Sequence, residues 1–109
     1  MTITSDRIRT WLCESALPLW SGEGIDHEEG GFFDNLSISG VSIRYAPKRL
    51  RVQARQIYVF SHAHILGWKP ESTEILPLEA ARNGFEFMTD NFWRENSGGF
   101  IYSTDKSGR

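Results

Sequence analysis

The chain has a single cysteine, Cys13, so no disulfide can form within it, and a reducing, cytoplasmic setting is expected. Nowhere does an apolar run approach the ~20 residues that span a bilayer. The opening residues, MTITSDRIRT, lack the apolar core of a signal peptide. Neither charge sign dominates: 12 Lys and Arg against 14 Asp and Glu leave a net charge of -2, without the basic footprint that nucleic-acid binding needs. No P-loop, dinucleotide-binding glycine motif or nucleophile elbow occurs. None of the 3 histidines stands at a metal-ligand spacing. No nucleic-acid or membrane partner, no metal and no cofactor is expected.

What is present suits one small globular domain: 109 residues, 39% hydrophobic and 24% charged. Aromatic content is high at 13%, which needs a sizeable core or a partner to cover it. Aromatic rings also line sugar sites, but core packing accounts for most of them. Three helical segments are expected. The first runs from Thr4 to Leu17, with Thr4 or Ser5 as N-cap, Asp6 in the first turn, and Ile8, Trp11, Leu12, Ala16 and Leu19 at i, i+3, i+4 spacing. Pro18 should end or kink it. The second covers Lys48–Trp68, with Pro47 in its first turn and Gly67 as its stop. The third starts near Pro77 and carries Leu78, Ala81, Gly84, Phe85, Met88 and Phe92 on one stripe, where Gly84 lets another helix approach. Cys13, beside Trp11 and Leu12, reads as a packing residue.

The second helix holds a conflict. Arg51 and Arg55 stack on one face, and Tyr58 and His62 continue that stripe. Leu50, Ala54, Ile57 and Ile65 lie opposite, with Val52, Val59, Phe60, Ala63 and Leu66 widening the apolar surface. A helix apolar almost all round is normally buried, yet guanidinium groups are rarely buried without a partner or a ligand. The competing explanation is structural: Arg55 bonded to helix ends, or to Glu14 or Glu86, and Arg51 part of a solvated helix end beside Lys48 and Arg49. His62 and His64, two apart, face different sides of a helix and read as packing or surface residues. His27 and the carboxylates Asp26, Glu28 and Glu29 read as a polar, solvent-facing loop.

Two segments echo each other. GGFFDNLSISG at Gly30–Gly40 and GGFIYSTDKSG at Gly98–Gly108 both run from Gly-Gly-Phe through a strand-like stretch to Ser-Gly at the same offset, with Phe32 and Phe100 68 positions apart. This is an internal repeat whose unit is two helices with an inserted β-hairpin. The chain holds about 1.6 such units, where about three are needed for independent stability. The expected fold is all-α with short β-hairpins, residues 1–109 forming a single incomplete domain at the N-terminal part of a longer helical toroid or a shortened gene product. A complete three-helix domain with two surface hairpins is the alternative.

The order GGFF…KRLRVQARQIYVFSHAHILGW…GGFIYSTDKSG resembles the start of the N-acylglucosamine 2-epimerase family. RVQARQIYVF followed by Gly67-Trp68 is especially similar to its mannose isomerase and mannose-6-phosphate isomerase members. The resemblance runs from Ala16–Trp20 to the second Gly-Gly-Phe hairpin. It implies a ring of six helix hairpins, an (α/α)6 barrel, with a sugar or sugar-phosphate site at its mouth. It also implies aldose–ketose isomerisation or epimerisation at C2 of an open-chain sugar, with acid/base histidines on later inner helices beyond Arg109. By the same resemblance Arg55 is the catalytic and substrate-binding arginine, Arg51 lines the pocket, and Tyr58 is a further candidate for substrate binding. The chain alone is expected to be inactive. The runner-up reading is a non-catalytic helical interaction module that self-associates through the exposed inner-helix face.

Overall fold

The computed structural model describes residues 2–71 and 75–109. Helix α1 (Ser5–Trp11) is capped by Thr4, whose Oγ1 accepts the Arg7 N–H at 3.2 Å. It does not stop before Pro18. A π-helical turn, Leu12–Ala16, follows, and α2 (Leu17–Gly22) then carries Pro18 in its first turn. Proline lacks an N–H and crowds the carbonyl four residues back. The wider π turn, in which the Leu17 N–H donates to the Leu12 carbonyl, accommodates that loss without ending the helix.

Strand β1 (Lys48–Arg49) leads into α3 (Leu50–Ile65), and α4 (Pro77–Asn91) packs along it. Helix α3 is therefore shorter than expected at both ends: Lys48 is extended, Pro47 precedes the strand, and Gly67 at φ +81 takes the chain out of the helix. Short strands β2 (Trp93–Arg94), β3 (Gly99–Phe100) and β4 (Ser103–Thr104) complete the fold.

The two Gly-Gly-Phe segments make the same local hairpin and differ in what surrounds it. In the second, Trp93 pairs with Phe100, the Gly98 N–H donates to the Arg94 carbonyl and the Ile101 N–H to the Phe92 carbonyl; in the first, Ile25 pairs with Phe32, the Gly30 N–H donates to the Asp26 carbonyl and the Phe33 N–H to the Gly24 carbonyl. Strand β1 lies outside both turns and pairs with β4, Lys48 opposite Thr104 and Arg49 opposite Ser103.

The core forms where Phe32 stacks on Phe60, ring centroids 5.6 Å apart, with Leu17, Ile25, Ala63, Ala80 and Ala81 around them. Gly84 faces this cluster: a Cβ there would lie 2.8 Å from Phe32 Cε2 and 2.9 Å from Ile57 Cγ1, so the close approach expected of this glycine is present. Ala81 and Phe92 of the expected stripe are buried too, but part of the stripe is displaced. Pro77, Ala80, Ala81, Gly84 and Phe87 are buried, while Leu78 and Phe85 are exposed. Small residues at 80, 81 and 84 admit the Phe32 ring, and that decides which apolar side turns inward. On α1 the apolar residues Ile8 and Trp11 stay exposed. The accessible surface is 7346 Å², where a compact monomer of this length exposes about 6,200 Å².

Candidate functional site on the exposed face of helix α3

The start of α3 is fixed by two ion pairs. Lys48 is fully buried, and its Nζ donates to Asp26 Oδ2 at 2.7 Å and to the Gly30 carbonyl at 2.8 Å. The ammonium also lies 4.6 Å from the centroid of the Phe87 ring. Asp26 Oδ1 accepts the backbone N–H groups of Glu28 and Glu29, both at 3.0 Å. Burial pushes the Asp26 carboxyl up, but the Glu29 N–H, the Lys48 ammonium and the Glu28 N–H together hold it below the usual carboxylate range. Arg49 follows with its backbone N–H and Nε both on Asp34. The Asp34 carboxylate foremost, then the Tyr102 hydroxyl, raises the Arg49 pKa.

Asp26 is thus the exception in its loop. Expected in solvent, it is 4% exposed because the buried Lys48 ammonium lands on it, while His27, Glu28 and Glu29 stay exposed as expected. Its pairing with a lysine 22 positions away has no local signature; the Asx turn it makes with Glu28 and Glu29 was the available hint.

Two carboxamides complete the anchoring. Gln53 on α3 accepts the Phe32 N–H at 3.0 Å and donates to the Phe32 carbonyl at 2.8 Å. Asn83 on α4 does the same for Gly31, at 2.9 and 3.1 Å. Both helices are thereby bonded to the first Gly-Gly-Phe turn, and Gln53 becomes a buried polar residue on α3.

With Gln53, Phe60 and Ala63 turned inward, the stripe of Arg51, Arg55, Tyr58 and His62 faces outward, and all four are exposed. The helix is therefore not buried all round, and Val59, Ile65 and Leu66 are exposed too. The arginines need no buried partner because the side of the helix that bears them is open. Arg55 pairs with neither Glu14 nor Glu86, and with no other carboxylate among the described residues. Arg51 lies over the Tyr102 ring, its guanidinium carbon 5.8 Å from the centroid. Tyr58 and His62 touch with ring centroids 5.5 Å apart. Toward the C-terminal end of α3, Tyr58 and His62 border a groove of 790 Å³ shared with α1. His64 is exposed on another side, and Cys13 sits half-buried, its carbonyl accepting the Trp68 Nε1–H at 3.0 Å. Among the described residues no cluster of His, Cys, Asp or Glu is arranged to hold a metal, and no helix is long and apolar enough to cross a membrane.

The chain is thus helical with small antiparallel sheets and an open, arginine-bearing helix face, and comparison with known proteins places this fold. The chain belongs to the N-acylglucosamine 2-epimerase (GlcNAc 2-epimerase) family, whose sequence profile matches residues 31–109. Its fold superposes with a TM-score of 0.79 on a cellobiose 2-epimerase from Spirochaeta thermophila DSM 6192, at 29% identity over 94% of this chain and 24% of that one. A sugar epimerase from a ruminal bacterium matches with a TM-score of 0.80 and 26% identity, over 95% of this chain and 25% of that one. The fold class is therefore that of the (α/α)6 barrels, of which this chain corresponds to about a quarter. A mannose-6-phosphate isomerase of Rhizobium meliloti (strain 1021) is 45% identical over 58 residues, which is 53% of this chain and 15% of that protein.

Proposed function

We propose that this chain contributes the arginine edge of a sugar isomerase or epimerase site acting at C1 and C2 of an open-chain aldose or ketose, of the mannose or N-acylhexosamine type. The observation that carries the reading is Arg55, exposed and without a carboxylate on the α3 face that turns away from the core. In this chemistry a base removes the proton next to the carbonyl, and negative charge gathers on the carbonyl oxygen of an enediol-like intermediate. A guanidinium stays charged throughout and donates in a fixed fork, so Arg55 stabilises that oxygen, while Arg51 and Tyr58 contact the sugar hydroxyls. Return of the proton to C1 gives isomerisation, and return to the other face of C2 gives epimerisation. The acid/base groups in this reading are histidines other than His27, His62 and His64. The reaction is placed in the cytoplasm, in keeping with the lone cysteine.

The test has two parts. Purified alone, the chain is expected to leave mannose unconverted to fructose; measurable conversion would overturn the division of the site. In an active polypeptide containing this sequence, Arg55→Gln should lower kcat by about 10²–10³, and unchanged turnover would remove Arg55 from the site.

A second reading is favoured by the groove between α1 and α3 and by the surface in excess of a compact monomer. In it, a second copy of the chain covers these apolar faces and the module is non-catalytic. A monodisperse monomer by light scattering at micromolar concentration would rule it out.

A further inference from the structure

Four cations stand within eight residues at the start of α3, and they are treated in two ways. Lys48 and Arg49 each take a carboxylate, Asp26 and Asp34. Arg51 and Arg55, on the open face, take none among the described residues. Helix α3 carries no Asp or Glu between Leu50 and Ile65 to balance them. Like charges at i, i+4 weaken a helix, and a cation in the first turn opposes the helix dipole. The open face therefore holds positive charge that the chain does not neutralise, directly beside two positions where it does.

Tyr102 lies against this charge and was not among the residues expected in the site. Its carbonyl accepts the Leu50 N–H at 2.8 Å, and Ser103 and Thr104 after it are laddered to Arg49 and Lys48. The backbone under the ring is thus tied to the N-terminal end of α3. Tyr102 remains 59% exposed as a residue, and the Arg51 guanidinium lies over its ring. A fixed aromatic surface next to an unpaired guanidinium suits a ligand that is apolar along its C–H face and anionic at one end.

Resting on the reading of Arg55 as a sugar-site residue, we propose that Tyr102 is a further ligand-binding residue and that it and Arg51 select a phosphorylated hexose. Arg51 takes the phosphate, the Tyr102 ring takes the sugar carbons, and Arg55 keeps the oxygens at C1 and C2. Arg51 and Arg55 are about one helical turn, ~5.4 Å, apart along the axis, a separation that an open-chain hexose spans between its carbonyl end and C6. A neutral hexose fills the Arg55 end and leaves Arg51 without an anion.

The experiment follows the arginine Nε–H and tyrosine ring signals of the 109-residue chain by NMR during titration with mannose 6-phosphate, mannose or inorganic phosphate. Mannose 6-phosphate is expected to shift Arg51, Arg55 and Tyr102 together, about tenfold more tightly than mannose. Arg51→Gln should bring mannose 6-phosphate down to the affinity of mannose. Tyr102→Leu should weaken mannose 6-phosphate about fivefold, with far-UV circular dichroism unchanged in both variants. Equal affinity for the two sugars would overturn the selection of phosphate and leave the Arg55 reading standing. Inorganic phosphate binding as tightly as mannose 6-phosphate, with Tyr102 unmoved, would overturn it as an adventitious ion only. No shift at any of the three residues with either sugar would overturn both readings.

Discussion

At the first Gly-Gly-Phe turn, the peptide groups of Gly31 and Phe32 are each held at both ends by a carboxamide, Asn83 from α4 and Gln53 from α3, and Phe32 is fully buried. At the second, Gly99 and Phe100 pair only with Arg94 and Trp93 of their own hairpin, and Phe100 remains 44% exposed with Trp93 edge-on beside it. A Cβ on Gly31 would lie 2.7 Å from the Phe87 ring, whereas nothing lies within 4 Å of one on Gly99. The motif supplies a turn in both places. Whether the turn becomes core depends on two helices reaching back to it with side chains that complete its peptide hydrogen bonds, and within the described residues only the first turn has them.

The comparison is most exposed to failure at the phenylalanines. Phe32→Ala should destabilise the chain by about 3–5 kcal/mol, and Phe100→Ala by about 1 kcal/mol, both read from urea unfolding. Similar losses at the two sites would mean that the second turn is as well packed as the first. The glycines sharpen the same contrast. Gly31, at φ +75, has no room for a side chain, so Gly31→Ala should cost about 2–4 kcal/mol, and Gly99→Ala should stay within about 0.5 kcal/mol. A neutral Gly31→Ala would show that the Phe87 ring moves aside freely.

The smallest expected effect is that of acid. Only the first turn is latched by Asp26, through the Lys48 ammonium that also donates to the Gly30 carbonyl. The Asp26 pKa is lowered in the folded chain, so its contribution is complete above the ordinary carboxylate range and is lost as pH falls through the lowered value. Hydrogen-exchange protection at Gly31 should therefore fall as the solution is brought below about pH 4, while protection at Gly98, whose N–H donates to the Arg94 carbonyl, changes little. Parallel losses at the two glycines would detach the first turn from its ion pair.

Much of the scaffold was legible in the sequence because it is written locally. The Thr4 cap, the stop at Gly67, the existence of α3 and α4, the tight approach at Gly84 and the shared face of Arg51, Arg55, Tyr58 and His62 all follow from neighbours within a turn or two. What was missed depends on long-range partners. Lys48 reads as one charge of a solvated run, yet it is buried because Asp26 waits 22 positions earlier. Gln53 shows no partner in the sequence, and its inward position is set by the Phe32 peptide. Leu78 and Phe85 fit a helical stripe as well as Ala80 and Phe87 do, and only the bulk of Phe32 against Gly84 chooses between them. Tyr102 has no pattern of its own and reaches Arg51 only through the pairing of β1 with β4.

That pairing sets how such a unit can be multiplied. Lys48 marks the entry to the α3–α4 pair and Thr104 its exit, and the two stand opposite each other in one ladder. A module whose exit lies beside its own entry returns the polypeptide to the same rim after each pair of helices. Successive modules joined in this way would each begin from that one rim, with the first turn of every entry helix on the same side.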